Sequence, residues 1–280
     1  MNDALGYAGR RVVVSGAASG MGEATARILV ELGAEVHALD IRDPSVEGLA
    51  SFTRCDLREP AEIDAAAARI GRVVNALFNC AGLPNSFPPI DVMLVNFCGT
   101  RHLTEAFVPL MIEGSAIVSI ASNASIGWES NLALLSGLLD TPGFDEARAW
   151  CDAHPAEMAN AYGLSKQAVN AYTARRSFAL AREGIRINCT NPGPTDTPMM
   201  PEFEKAVGKA YMDRFPVPLG RHAVAAEQAW PVVFLNSPRA AFVSGASVDV
   251  DGGFRAGLVT GQIDVTVLMP EGVAAANDQG

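Results

Sequence analysis

Arg11-Val12-Val13-Val14-Ser15-Gly16-Ala17-Ala18-Ser19-Gly20-Met21-Gly22 is the stretch whose reading decides the fold. Three consecutive valines read as a strand covered on both faces, since a strand with one wet face alternates apolar and polar residues. Beyond Gly22, Ala24, Ile28 and Leu32 recur at helical spacing until Gly33 supplies a stop. Gly16, Gly20 and Gly22 therefore sit in a strand-to-helix turn. Glycine there lets the backbone approach a pyrophosphate, whose charge is held by unpaired N–H groups and the positive end of the helix. An ordinary tight turn also uses glycine, so the motif needs support from the rest of the chain.

That support comes in order. A strand at 35–39 delivers Asp40, whose carboxylate can accept hydrogen bonds from adenosine ribose hydroxyls and would repel a 2′-phosphate. The position argues for NAD over NADP; Arg42, which could shield a phosphate, is the counter-signal. A short strand at 52–55 ends in Asp56-Leu57, a helix follows at 59–70, and a buried strand at 73–78 ends in Asn79-Cys80-Ala81-Gly82. Strands and helices alternating at this spacing imply an α/β fold, a doubly wound parallel sheet of the Rossmann type, read as one domain over 1–280.

Further along, Tyr162 and Lys166 are four positions apart, so on a helix they share a face one turn from each other. A fixed positive charge favours the phenolate, lowers the tyrosine pKa and allows proton exchange with an alcohol oxygen. Ser122 follows an apolar strand at 116–121, at the carboxyl end where open parallel sheets place their ligands. A hydroxyl there can bond a substrate oxygen as charge develops.

Composition narrows the function. Of 280 residues 49% are hydrophobic, enough for a large core, and the net charge of −10 without a basic cluster argues against nucleic acid and anionic membrane as partners. No apolar run reaches the length of a membrane span and the start lacks a signal pattern, so a cytoplasmic protein is expected. Five cysteines without CxxC spacing and four scattered histidines indicate neither a disulfide framework nor a metal site.

Taken together, the SGAASGMG turn, Asp40, Asp56-Leu57, the NCAG tetrapeptide, Val95-Asn96, Ser122, the Tyr162/Lys166 pair and Pro192-Gly193 resemble the non-extended short-chain dehydrogenases/reductases, in that family's order. The resemblance implies that Gly16, Ser19, Gly20, Met21, Gly22, Asp40, Ile41, Asp56, Leu57 and the Cys80, Ala81 and Gly82 backbone contact the dinucleotide. Tyr162, Lys166, Pro192, Gly193, Thr195 and Thr197 are implied to complete the NAD site, the last two gripping the nicotinamide carboxamide. It implies a catalytic set of Asn96, Ser122, Tyr162 and Lys166, in which Asn96 kinks its helix and helps hold a water, and it makes Asn79 a brace between strands. An NAD(H)-binding sensor that lost turnover is the rival reading, and the complete set of four counts against it.

Two departures narrow the resemblance. Only 13 residues separate Gly82 from Asn96, ahead of a helix expected from Asp91 to about Met111. Ser122 and Tyr162 are forty positions apart, leaving an insertion at about 129–157 with an apolar run at 132–139 and a helix expected at 144–153. The arrangement resembles the bacterial 3α-hydroxysteroid dehydrogenase/carbonyl reductase subgroup and relatives acting on aromatic and terpenoid alcohols. A small hydrophobic alcohol or ketone is the implied substrate, and a homodimer or homotetramer the implied assembly. The insertion is expected to wall the substrate pocket and to alter subunit packing. A substrate loop is expected at 198–220, with Met199, Met200, Phe203, Tyr211, Met212 and Phe215, then a helix at 225–236 interrupted by Pro231, a strand at 247–250, and a tail at 254–280 whose end is disordered.

Overall fold

Strand β1 (Arg11–Ser15) is buried at every residue after Arg11, as a strand covered on both faces must be. The computed structural model describes residues 3–71 and 73–264; the end of the 254–280 tail lies outside the described residues. After β1 come α1 (Gly20–Glu31), β2 (Glu35–Asp40), β3 (Ser51–Arg54), α2 (Pro60–Ile70) and β4 (Val74–Asn79). Next are α3 (Pro89–Met93), a π-helical turn (Leu94–Gly99), α4 (Thr100–Phe107), β5 (Met111–Ile120), α5 (Leu132–Leu139), α6 (Phe144–Ala153) and α7 (Ala161–Ala181). The chain continues through β6 (Arg186–Pro192), β7 (Thr195–Asp196), α8 (Met200–Val207), α9 (Lys209–Arg214), β8 (Ala223–Val224), α10 (Ala225–Asn236), β9 (Ser247–Val250) and α11 (Phe254–Val259).

Seven parallel strands form the main sheet in the order β3-β2-β1-β4-β5-β6-β9, and β7 pairs with β8 apart from it. The chain winds outward from β1 to β3, then returns to lay β4 on the other side of β1. That reversal opens a crevice at the carboxyl ends of β1 and β4, where the glycine turn lies. Each face of the sheet has its own core. Leu77 and Ile117 point to a layer with Phe97, Leu103 and Phe107, and Val12, Val14 and Phe78 to a layer with Leu29 and Val232.

Several elements differ from their sequence reading. The helix expected from Asp91 starts at Pro89, is broken by the π turn that carries Asn96, and ends before Met111, which opens β5. Pro231 does not interrupt α10: it removes one internal hydrogen bond and the helix runs through. The expected substrate loop contains two helices, α8 and α9.

The insertion is folded. Its α5 and α6 pack on the outer side of α7 and of the π turn, with Leu135 and Leu138 fully buried and Leu132 left 44% exposed. The buried Arg101 of α4 donates to the carbonyls of Leu138, Thr141 and Gly143 and to Thr141 Oγ1. A cation thus closes the carboxyl end of α5, where helix carbonyls lack partners. Among the described residues no helix is long and apolar enough to cross a membrane.

Candidate active site

The glycine turn is shaped by close approach. Gly16 has φ 73°, and a Cβ there would lie 2.6 Å from Ala81 N. A Cβ on Gly22 would lie 2.1 Å from Gly16 O. The turn therefore presses β1 against the Cys80–Gly82 segment with backbone alone between them. Ser15 Oγ accepts from Cys80 N at 3.2 Å and stitches the two carboxyl ends together. Ser19 precedes α1 without a side-chain cap, which leaves the first N–H groups of the helix open to an anion.

Asp40 is buried, and its carboxylate accepts from Ala18 N and Arg42 N, both at 2.9 Å. Each carboxylate oxygen has a second lone pair to offer a ribose hydroxyl. The Arg42 guanidinium donates to Ser19 Oγ at 2.8 Å, across the mouth of the turn. Ile41 is 48% exposed beside it. Leu57 is buried; Asp56 is engaged by Arg58 at 2.6 Å, and that guanidinium holds its carboxyl below the ordinary range. Glycine gaps, an uncapped helix end and a carboxylate at the end of β2 fit a dinucleotide. Thr197 lies 3.5 Å from where a Cβ on Gly20 would be, and buried Thr195 donates to Gly193 O at 2.9 Å, so the turn after Pro192 closes over the glycine turn.

The reacting groups meet at the end of β5. Ser122 and Lys166 are buried there; the Ser122 hydroxyl donates to Asn123 Oδ1 at 3.3 Å and is near enough to the Tyr162 phenol to favour its ionised form. Lys166 Nζ donates to Ile120 O at 2.9 Å and lies 5.8 Å from the centre of the Tyr162 ring. Asn96 is buried in the π turn, where its Oδ1 accepts from Leu83 N at 2.7 Å and its Nδ2 donates to Leu83 O at 3.0 Å. A Cβ on Gly82 would lie 3.4 Å from Asn96 Oδ1 and 3.7 Å from Lys166 Nζ, so this glycine keeps the two side chains within reach of each other.

One expectation is corrected here. Lys166 does not depress the Tyr162 pKa in this arrangement: burial raises the phenol above its ordinary value, opposed only by the nearby Ser122 hydroxyl. Burial lowers Lys166 to about 8. In both groups the desolvation that packing imposes sets the direction.

Tyr162 opens into a cavity of about 460 Å³ lined also by Ser86, Phe87, Val92, Met158 and Lys205. Phe203 of α8 stands edge-on to the Tyr162 ring, centroids 5.1 Å apart. The lining resumes at Met158, after the insertion, and no residue of 129–157 lines this cavity. Leu135 and Leu138 of the insertion are buried on α5, which packs on α7.

Asn79 is a brace, donating to Thr104 Oγ1 at 2.9 Å and Ser119 Oγ at 3.1 Å. Residues passed over in the sequence are Ser15, Arg101, Ser125 and Asn191. Ser15 alone left a signal, as the one polar residue ending a buried run.

A family model described as short chain dehydrogenase matches residues 10–133, and one described as Enoyl-(Acyl carrier protein) reductase matches residues 152–255. The chain is 32% identical to a coniferyl-alcohol dehydrogenase of Pseudomonas sp. (strain HR199 / DSM 7063), over 87% of this chain and 96% of the relative. It is 31% identical to a 3-alpha-hydroxysteroid dehydrogenase/carbonyl reductase of Comamonas testosteroni, over 88% of this chain and 96% of the relative. Among solved structures it is similar to the 3-alpha-hydroxysteroid dehydrogenase of Pseudomonas sp. B-0831 complexed with NADH, with a TM-score of 0.76, 26% identity, and coverage of 91% of this chain and 100% of that one.

Proposed function

The chain belongs to the short-chain dehydrogenase family, and from that premise we propose an NAD-dependent enzyme that interconverts a secondary alcohol and its ketone on a bulky hydrophobic frame such as a hydroxysteroid. The protein is an oxidoreductase related to alcohol and hydroxysteroid dehydrogenases. The proposed reading is carried by the gathering of Ser122, Tyr162 and Lys166 at the carboxyl end of β5, with Tyr162 also lining a cavity of about 460 Å³ that has room for such a substrate.

A nicotinamide ring, when bound, supplies or takes up the hydride. The chain handles the proton. Its raised pKa keeps the proton on Tyr162 at neutral pH, so the phenol serves as acid toward a ketone oxygen, and as base in the reverse direction. The Ser122 hydroxyl, close to that phenol, is placed to bond the same substrate oxygen as charge builds on it. Lys166, with a pKa of about 8, remains mostly charged at neutral pH and would hold a ribose hydroxyl of the bound dinucleotide beside the phenol. Asn96 fixes the Gly82–Leu83 backbone beside Lys166 and so sets the edge of the ring site.

Asp40 supports NAD over NADP, because a 2′-phosphate would face a buried carboxylate. Aromatic alcohols are a second reading, favoured by Phe87 and Phe203 around Tyr162 and by the coniferyl-alcohol relative. A panel of hydroxysteroids, terpenoid alcohols and aryl carbinols assayed with NAD and NADP separately tests all of this, and equal turnover with NADP would remove the cofactor assignment. Tyr162→Phe should lower kcat by roughly 10²–10⁴ while NADH still binds. Retention of about a tenth of the activity would contradict the acid–base role.

A further inference from the structure

We infer that Asn191 is a positioning residue that holds Ser122 and Lys166 in register with each other. It lies on β6, 2% exposed, and every hydrogen-bonding site of its carboxamide is taken. Nδ2 donates to Ser247 Oγ at 2.8 Å and to Asp249 Oδ1 at 2.9 Å, both on β9. Oδ1 lies 3.0 Å from Asn170 Nδ2 and 3.2 Å from Ser125 Oγ. The β9 bonds fix the amide plane, and the other two reach the reacting groups.

Each reaching arm is one side chain long. Ser125 Oγ is also 2.6 Å from the Ser122 carbonyl, so its single proton is shared between that carbonyl and Asn191. Asn170 Nδ2 also donates to the Lys166 carbonyl at 3.1 Å, one turn back along α7. The Asn170 Oδ1 accepts from Ser247 Oγ and from Cys189 Sγ, so that arm is itself held at both ends. Lys166 Nζ in turn bonds Ile120 O, and Ile120 pairs in the sheet with Thr190, the residue before Asn191. The two groups are thus tied to one amide by separate routes.

Other residues at 191 would break this. A leucine would leave Ser125, Asn170, Ser247 and Asp249 short of partners, and an aspartate would face Asp249 with a like charge. The mutual placement of Ser122, Tyr162 and Lys166 has to be kept within a fraction of an ångström for proton transfer, and a loosened support is felt in rate before it is felt in binding.

This role rests on the alcohol–ketone chemistry proposed above, and two readings separate them. Asn191→Ala and Ser125→Ala are made in the full chain and compared below their melting temperatures. Turnover should show kcat lowered roughly tenfold by Asn191→Ala, with KM and the NADH dissociation constant changed by less than about twofold. Combining the two substitutions should cost no more than Asn191→Ala alone, because they cut the same path to Ser122. Without any substrate, the ionisation of Tyr162 in the NADH complex is followed as the tyrosinate absorbance that Tyr162→Phe lacks, and Asn191→Ala should move it upward. A kcat within about twofold of wild type together with an unmoved Tyr162 titration overturns the role. Should Asn191→Ala fail to fold, Ser125→Ala decides by the same two readings. If wild type oxidises no secondary alcohol yet the titration shifts, the positioning role stands and the substrate reading falls.

Discussion

In the glycine turn a single methyl group has nowhere to go: on Gly22 it would sit 2.1 Å from the Gly16 carbonyl, and on Gly16 it would sit 2.6 Å from Ala81 N. At Gly127, where the insertion begins, the same methyl group meets nothing within 4 Å. The first region is held by backbone pressed on backbone, the second by side chains: Leu135 and Leu138 buried beneath it and Arg101 gripping its carbonyls. Where backbone does the holding, the residue types are dictated locally and can be read along the chain. Where side chains from distant elements do it, many sequences would serve and few positions announce themselves.

The sharpest way to break the comparison is Gly22→Ala. Opening the turn to admit the methyl group should weaken NADH binding at least about 1,000-fold, roughly 4 kcal/mol, in a fluorescence titration. Binding near the wild-type value would show that the turn yields and that backbone contact is not what holds it. Arg101→Met tests the other region. It takes one donor from each of the Leu138, Thr141 and Gly143 carbonyls, of which Leu138 and Gly143 keep others, and should lower unfolding stability by about 2 kcal/mol in urea, with NADH affinity unchanged. Loss of NADH affinity in that variant would mean the two regions are coupled.

Legibility followed the same division. The strands at 11–15, 35–40, 74–79 and 247–250 lie within a residue or two of their reading because apolar runs and turn residues bound them. Ser122, Tyr162 and Lys166 come together because a strand end and a helical spacing of four are properties of the local chain. The π turn at Leu94–Gly99 was marked only by the kink at Asn96 that the resemblance implies, not by any local pattern, since it is a choice of hydrogen-bond partner within an otherwise helical sequence. Arg101 reads as a solvated charge until α5 is folded over it, and Asn191 as one more polar residue in a turn. The direction of the Tyr162 shift was misread for a related reason: burial is set by what packs around the pair, and spacing shows only that the pair exists.

Between the two regions stands the catalytic helix, and its lysine gives a smaller and more pointed test. Lys166 titrates at about 8 in the folded protein and near its ordinary 10.5 when unfolded. From about pH 8 to 10.5 the unfolded chain therefore binds more protons at this site, and its contribution to stability rises with pH; it is full above the unfolded value and lost as pH falls through about 8. The buried thiols of Cys55, Cys80 and Cys189 are raised and pull the opposite way in this window, so total stability is the wrong quantity. The difference between wild type and Lys166→Met is the right one, and between pH 7.5 and 9.5 it should grow by about 1.8 kcal/mol in urea melts under reducing conditions. Tyr162 stays protonated in both states below its ordinary value and drops out of that difference. A difference that shrinks with pH would mean that Lys166 is not desolvated as the fold places it.

The smallest expected effect sits on the insertion itself. Along α5, Leu135 and Leu138 face α7 and are fully buried, whereas Leu132, one turn earlier, is 44% exposed. A leucine already in water has little transfer free energy to lose, so Leu132→Ser should change unfolding stability by less than about 0.5 kcal/mol, against about 3 kcal/mol for Leu135→Ala at a site that cannot refill the space. The contrast also bears on assembly. The helices α4 and α7 that would otherwise offer an outer face are covered by α5 and α6, so a dimer or tetramer should use other surfaces, and Leu132→Ser should leave the mass in light scattering unchanged. A stability loss above about 1.5 kcal/mol, or a lower mass, would place Leu132 in a contact between subunits, because only a further apolar surface over that leucine could make its removal costly.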